Sequence, residues 1–290
     1  MGLQPIEGWP AIFAMAAKNV GIFTVVIRVV AYATLAERRV SAFIQDRRGP
    51  NRVGPFGLLQ PIADGIKNIF KEETLPATAS RFFFLLAPIL VLVPSLVTFA
   101  VIPVAAPLPT PWGIVDMVIA DVPIGILWVL AFSSLAVYGV VLGGWASNNK
   151  YAFLGGLRAS AQMVSYEVAL GLLIIAVLMM AGNVTLTDVV WQQQQLGMWF
   201  AFPLSLAFIL FVISAFAETN RLPFDMPEAE SELVTGYHTE YSAMKFSAFM
   251  ISEFGHMVTA SALMATLFLG GWDLPGTWDD AYWHQGVLIS

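Results

Sequence analysis

Hydrophobic residues fall along this chain in long runs separated by short polar stretches. A helix needs roughly 20 predominantly apolar residues to cross a hydrocarbon core, and six runs reach about that size, over residues 10–36, 81–102, 123–142, 161–181, 198–217 and 244–269. They predict an all-α, polytopic transmembrane protein of about six spans, organised as a single membrane domain over residues 1–290. The first run has no basic leader and reaches Leu35 without an Ala-x-Ala cleavage site, so it is expected to be a retained span. Pro88 and Pro94 sit inside the second run, where they should kink the helix and leave carbonyls for neighbours to satisfy. One further helix is expected between the first two spans. Residues 57–71 place Leu58, Leu59, Ile62, Ile66, Ile69 and Phe70 at helical spacing against Asp64, Lys67 and Lys71, an amphipathic pattern that suits the membrane surface. Pro50, Gly54, Pro55 and Gly57 supply the turn before it. An interfacial anchor and a functional gate both fit that pattern.

Composition agrees with the bilayer as solvent: 58% of residues are hydrophobic, 12% are charged and the mean hydropathy is +0.73. The formal net charge of −6 argues against a nucleic-acid partner, which calls for a basic stripe. Cysteine is absent, so neither disulfides nor thiolate ligands for zinc or an iron–sulfur cluster are available, and any electrons must be carried by another chain. The cations are distributed unevenly. Arg38, Arg39, Arg47, Arg48, Arg52, Lys67 and Lys71 lie between spans one and two, Lys150 and Arg158 between three and four, and Arg221 and Lys245 between five and six. Residues 103–122, 182–197 and those after 269 contain no Lys or Arg. The positive-inside rule then puts the cationic loops in the cytoplasm and both termini outside.

Chemistry is expected of carboxylates near or inside the hydrocarbon, where an ionised acid costs roughly 2.5–3.5 kcal/mol on insertion scales. Glu167, Glu218 and Glu253 are such residues. Desolvation raises carboxyl pKa values and suits a proton relay; a structural ion pair, for instance with Arg28, is the plainer alternative. The loop 218–245 gathers Glu218, Asp225, Glu228, Glu230, Glu232 and Glu240 against only Arg221 and Lys245. Asp225-x-x-Glu228 fits a capping box, and Glu228 and Glu232 would then share a helix face at i,i+4, where like charges repel. Glu253-x-x-His256 matches half of a di-metal motif that needs two copies and further carboxylates, so no metal is expected. The glycines around Gly143 and Gly155 match no phosphate loop or dinucleotide fingerprint and read as turns or close helix packing.

Three strings carry a resemblance: AERRVSAFIQDRRGPNRVGPFGLLQPIADGIK (36–67), GWASNNKYAFLGGLRASAQMVSYE (144–167) and ETNRLPFDMPEAESELVTGYHTEYSAMKF (218–246). Together they resemble the H subunit family of bacterial respiratory complex I and its mitochondrial counterpart, and the likeness runs from about residue 22 to 272. The resemblance implies a cofactor-free membrane subunit of a proton-pumping NADH:quinone oxidoreductase in the bacterial inner membrane. Its partners would be the peripheral-arm subunits that carry the terminal iron–sulfur cluster, and small membrane-arm neighbours. It would line the tunnel by which ubiquinone or menaquinone enters. By motif, Glu37, Arg38, Arg47, Asp64, Asp225, Glu228, Glu230 and Glu232 would shape the quinone chamber, and the surface helix would border its mouth. Glu167, Glu218, Glu240 and Glu253 would form the proton relay.

The pattern departs from the family at three places. Ser134 stands where many bacterial members carry Glu, Arg28 is not part of the motif, and the family's helices beyond Gly270–Trp272 are not represented in this chain. Three other readings remain: the equivalent membrane subunit of a proton-pumping hydrogenase or F420-type dehydrogenase, a stand-alone ion transporter, and a scaffold that docks a soluble arm through its basic loop. A transporter is disfavoured because the two halves show no inverted repeat.

Overall fold

The computed structural model describes residues 9–110, 113–272, 282–284 and 287–289. Nine helices are found among them: α1 (Trp9–Ile44), α2 (Gln60–Phe70), α3 (Arg81–Val97), α4 (Gly125–Ala146), α5 (Lys150–Ala181), α6 (Leu186–Leu196), α7 (Ser205–Glu218), the single turn α8 (Glu230–Leu233) and α9 (Ala243–Phe268). Two short antiparallel pairs accompany them, β1 (Leu108–Thr110) with β2 (Gly113–Val115), and β3 (Tyr282–His284) with β4 (Val287–Ile289). A polytopic helical membrane protein is therefore the fold, with α1, α3, α4, α5 and α9 long and apolar enough to cross a bilayer.

The expected fifth span is shorter than its hydropathy suggests. Only 14 residues, α7, are helical there, about 21 Å at 1.5 Å per residue. The approach to α7 spends its backbone donors elsewhere: Phe200 N donates to the Gln193 side chain (3.1 Å) and Ala201 N to the Phe268 carbonyl (2.9 Å). Conversely, α5 begins eleven residues before the expected 161, at Lys150, where Asn149 caps it by accepting from Tyr151 N at 2.9 Å. Its 32 residues rise about 48 Å, more than the roughly 30 Å hydrocarbon core, so its first turns stand among the loops. Hydropathy alone also gave no sign of α6.

Side-chain size decides how closely the spans pack. A Cβ added to Gly155 would come within 2.7 Å of Tyr237 N, and one on Gly143 within 3.2 Å of the Phe249 ring, so both glycines serve close packing. Around them Phe84, Ala87, Val91, Ala136, Val140, Ala159, Met163, Tyr237, Tyr241 and Phe249 form one buried cluster, in which Phe84 and Tyr241 stack at 4.0 Å. A second cluster joins Ile22, Val26 and Val30 of α1 to Ile174, Phe211, Leu263 and Phe268. Pro88 and Pro94 lie inside α3, which passes into a 3-10 turn at Thr98–Val101.

Polar contacts sort the connections into two layers. Ser80 N donates to the Ala146 carbonyl (3.0 Å), Thr74 Oγ1 to Ser242 Oγ (2.8 Å) and Arg158 Nη1 to Glu232 Oε2 (2.6 Å), which brings the three cation-bearing loops together. At the other end, Gln193 Nε2 donates to the Thr266 carbonyl (2.9 Å) and Lys18 Nζ to that of Val118 (2.7 Å). The helix α2 lies on the cationic side. It is shorter than expected, because Pro55–Gly57 forms a separate 3-10 turn, and its Ile62, Ile66, Ile69 and Phe70 are exposed.

Candidate functional site

A cavity of about 630 Å³ opens in the cationic layer, walled by Thr34, Glu37, Arg38 and Ser41 of α1, Arg47 and Pro50 after it, Arg221 and Glu228 of the α7–α9 connection, and Phe246, Met250, Glu253 and Phe254 of α9. Residues from three distant parts of the chain thus meet on one wall. Arg221 ties them together: its Nη1 donates to Glu37 Oε1 at 3.1 Å, its Nε lies 3.1 Å from Glu253 Oε1, and its guanidinium sits 4.4 Å from the centre of the Phe254 ring. The side chains of Arg221 and Glu253 are only 20% and 12% exposed. One cation therefore answers two carboxylates in a poorly hydrated place, where charges hold each other strongly and are costly to strand.

Glu253 also borders a second, smaller cavity of about 30 Å³, shared with Ser133, Glu218, Asn220, Tyr237, Ser252 and His256. That volume accommodates about two water molecules. Ser133 Oγ donates to Glu218 Oε1 at 2.7 Å. Glu167 of α5, half-buried, stands near enough to Glu218 for the two charges to repel. Gln162 secures the chain on both sides of Glu218, donating from Nε2 to the carbonyls of Ala217 (2.7 Å) and Phe224 (2.7 Å). Tyr237 in the loop is buried, and burial followed by the negative charges of Glu228 and Glu253 pushes its phenol well above its ordinary value; it stays a neutral hydroxyl at physiological pH.

The remaining carboxylates are placed as follows. Glu228 lines the large cavity and lies 3.1 Å from His238 Nε2. Asp64 borders a neighbouring cavity of about 570 Å³ and accepts from Arg38 Nη1 (2.7 Å) and Gln60 Nε2 (2.9 Å). Asp225 is close enough to Glu253 to act on its charge. Glu232 pairs with Arg158 at the surface, and Glu240 accepts from Asn149 Nδ2 at 2.7 Å; neither lines the cavities above. Glu230 opens α8, and its side chain lies outside the described ones.

Three local expectations are corrected. The Asp225-x-x-Glu228 capping box does not form: the helix there starts at Glu230 with Ala229 before it, because Glu228 is turned to His238. Glu228 and Glu232 consequently share no helix face and diverge to separate partners. The partner of Glu253 is Arg221, whereas Arg28 is exposed on α1. Ser134 is half-buried and donates to its own helix at the Ala131 carbonyl (2.9 Å), so it is the adjacent Ser133 that reaches a carboxylate. Among the described residues no cluster of three or more His, Asp or Glu could hold a metal.

Arg221 and Ser133 were not legible as site residues. The only hint of Arg221 was its isolation among six acids; Ser133 gave none, since one serine of a Ser-Ser pair in an apolar helix is unremarkable until the helix orientation is known.

Membrane-length helices around a charged cavity, with half-buried carboxyls beside it, define a class: a polytopic membrane protein built around a polar site. The chain belongs to the NADH dehydrogenase family, whose sequence model matches residues 17–289. It is 49% identical over 280 residues to the H subunit of the NADH-quinone oxidoreductase of Rhodospirillum rubrum, covering 97% of this chain and 80% of that protein. An H subunit of the same enzyme from Geobacter metallireducens is 52% identical over 259 residues, 89% of this chain and 78% of the relative. The H subunit from Rickettsia prowazekii is 52% identical over 258 residues, 89% and 74% respectively.

Proposed function

We propose that this chain is the membrane subunit of a proton-translocating NADH:quinone oxidoreductase that forms the quinone chamber and passes the consequence of quinone reduction to a carboxylate relay. The observation that carries this reading is the position of Glu253, which borders both the 630 Å³ cavity and the small cavity containing Glu218. The names of the relatives supply the reaction class and the multisubunit setting. Lacking cysteine, the chain leaves electron delivery to a partner of the peripheral arm, which would dock on the cationic layer around Arg39, Arg47, Arg48 and Arg52. That layer faces the cytoplasm of a bacterial inner membrane and the opposite ends of the spans face outward, as cation placement favours. The exposed apolar face of α2 lies in the interface beside the chamber mouth.

Reduction of a quinone to a quinol consumes two electrons and two protons. Ubiquinone and menaquinone share this chemistry, so the chamber accepts either ring in this account. Arg38, Arg47 and Arg221 attract the electron-rich carbonyl oxygens and the transient negative charge, while Glu37, Glu228 and Glu253 keep the cavity from binding anions permanently. A change of charge beside Arg221 alters its hold on Glu253, and a proton then moves between Glu253 and Glu218, with Glu167 next in line. Asp64 and Asp225 set the field of the cationic wall, and Glu232 and Glu240 fasten the acidic loop beside it through Arg158 and Asn149.

Variants of the assembled complex test this. Glu253→Gln should leave assembly intact and lower proton translocation coupled to NADH-driven quinone reduction by about 10²-fold, the usual scale for losing a proton-transfer group. Full coupled activity in Glu253→Gln and in each of Glu228→Gln, Glu230→Gln and Glu232→Gln would reject the relay. The hydrogenase or F420-type alternative is weaker because the relatives above share about half of all positions and are named for quinone.

A further inference from the structure

The small cavity has a second occupant of its wall whose polar atom is unspent. His256 stands on α9 one turn beyond Glu253 and borders the same 30 Å³ space as Glu218, Ser133, Ser252 and Tyr237. Its Nε2 is closed off from the molecular surface and lacks a hydrogen-bond partner. The hydroxyls of Ser133 and Ser252 donate elsewhere, to Glu218 (2.7 Å) and to the Val91 carbonyl (2.8 Å). His256 takes part in no ion pair among the described residues. In either tautomer a neutral imidazole nitrogen seeks one hydrogen bond, and a buried one left without it is penalised. What remains to satisfy it is the content of the cavity, which has room for about two waters and polar walls to hold them.

We infer that His256 is a positioning residue whose Nε2 fixes a water between Glu253 and Glu218. The inference rests on the relay reading and deepens it. The proton account closes without charging the imidazole: the Glu253 carboxylic acid gives its proton to the water, the water gives one of its own to the Glu218 carboxylate, and water and ring end as they began. Titratable groups facing the ring's cavity are Glu253 from the same helix, Glu218 from α7 and Tyr237 from the loop. The phenol stays neutral, leaving the two carboxyls to exchange the proton. Thr259, one turn further along α9, also has a buried hydroxyl without a partner, so the polar edge continues past His256.

The assembled complex in sealed vesicles provides the test. His256→Leu fills the space but removes the nitrogen; uncoupled NADH:quinone reduction should stay within about twofold of wild type, while proton translocation falls by about tenfold or more. The solvent deuterium effect on the coupled rate should rise at the same time. His256→Gln, which returns a polar atom near the same place, should recover translocation to within about threefold, a rescue that space-filling alone would not require. Wild-type translocation in His256→Leu overturns the inference. If that variant is normal while Glu253→Gln has lost translocation, only the role of His256 falls; if both are normal, the relay falls too. Should the leucine variant fail to assemble, a density map of the wild-type complex that resolves waters decides: a water about 3 Å from Nε2 supports the inference, and an empty cavity overturns it.

Discussion

Arg221 is the residue on which the site's electrostatics turn. Its two carboxylate partners are unequal: Glu37 is half-exposed, and Glu253 is 12% exposed. Removing the guanidinium would strand Glu253 in a place where water is scarce. Breaking a buried pair costs about 3–5 kcal/mol, and the half-exposed Glu37 puts the expected loss for Arg221→Met near the lower end. The apparent melting temperature of the assembled complex should fall accordingly. Adding Glu253→Gln should return much of that stability, because the stranded charge is then gone; strictly additive losses in the double variant would show that the two side chains do not interact. The placement of Glu218 and Glu253 within apolar helices was legible in the sequence, since charge in an apolar run is conspicuous. Their partners were not. Arg221 and Glu37 are 184 residues apart, and no local pattern links them.

At the scale of elements, the glycines of α4 and α5 set how near the loop layer sits to the bundle. Gly155→Ala would place a methyl 2.7 Å from Tyr237 N, against backbone that cannot rotate away. Overpacking of this kind costs about 1–3 kcal/mol, so a lower apparent melting temperature and a smaller yield of complex are expected, whereas Gly171→Ala, with nothing within 4 Å, should be neutral or slightly stabilising. On the opposite layer, Asp121 is exposed, and partial desolvation followed by the charges of Asp116 and Asp188 raises it modestly above its ordinary value. A carboxyl whose folded pKa is raised stabilises the fold only while protonated, and its charged form opposes the fold as pH climbs through the folded value. Asp121→Asn should therefore raise the apparent melting temperature at pH 7, with the gain vanishing at acid pH where the wild-type carboxyl is already neutral; no gain at pH 7 would contradict this. Helix existence was well announced by hydropathy and helix limits poorly. The first turns of α5 carry an apolar stretch too short to register as a span, interrupted by Lys150 and Arg158, α6 has no long apolar run, and the approach to α7 is apolar yet turned, its amides being drawn to Gln193 and Phe268. The acidic loop differs from its local pattern for the same reason: a capping box is a local rule, and Glu228 obeys a tertiary contact with His238.

For the whole molecule, the layering of cations was readable before any coordinates, because charge placement reports which ends of the spans lie together. The closing of those ends around a cavity was not, as it depends on α1, the α7–α9 connection and α9 converging. The central claim is that this cavity receives a lipid-soluble quinone and hands the effect of its reduction inward through Glu253. Photolabelling of the intact complex in native membranes with an azido-quinone, followed by peptide mapping, tests it most directly. Label should appear on the segments around Thr34–Pro50 and Phe246–Phe254, be displaced by excess quinone, and weaken in Arg221→Met. Displaceable label confined to other chains of the complex, with none on these segments, would contradict the account.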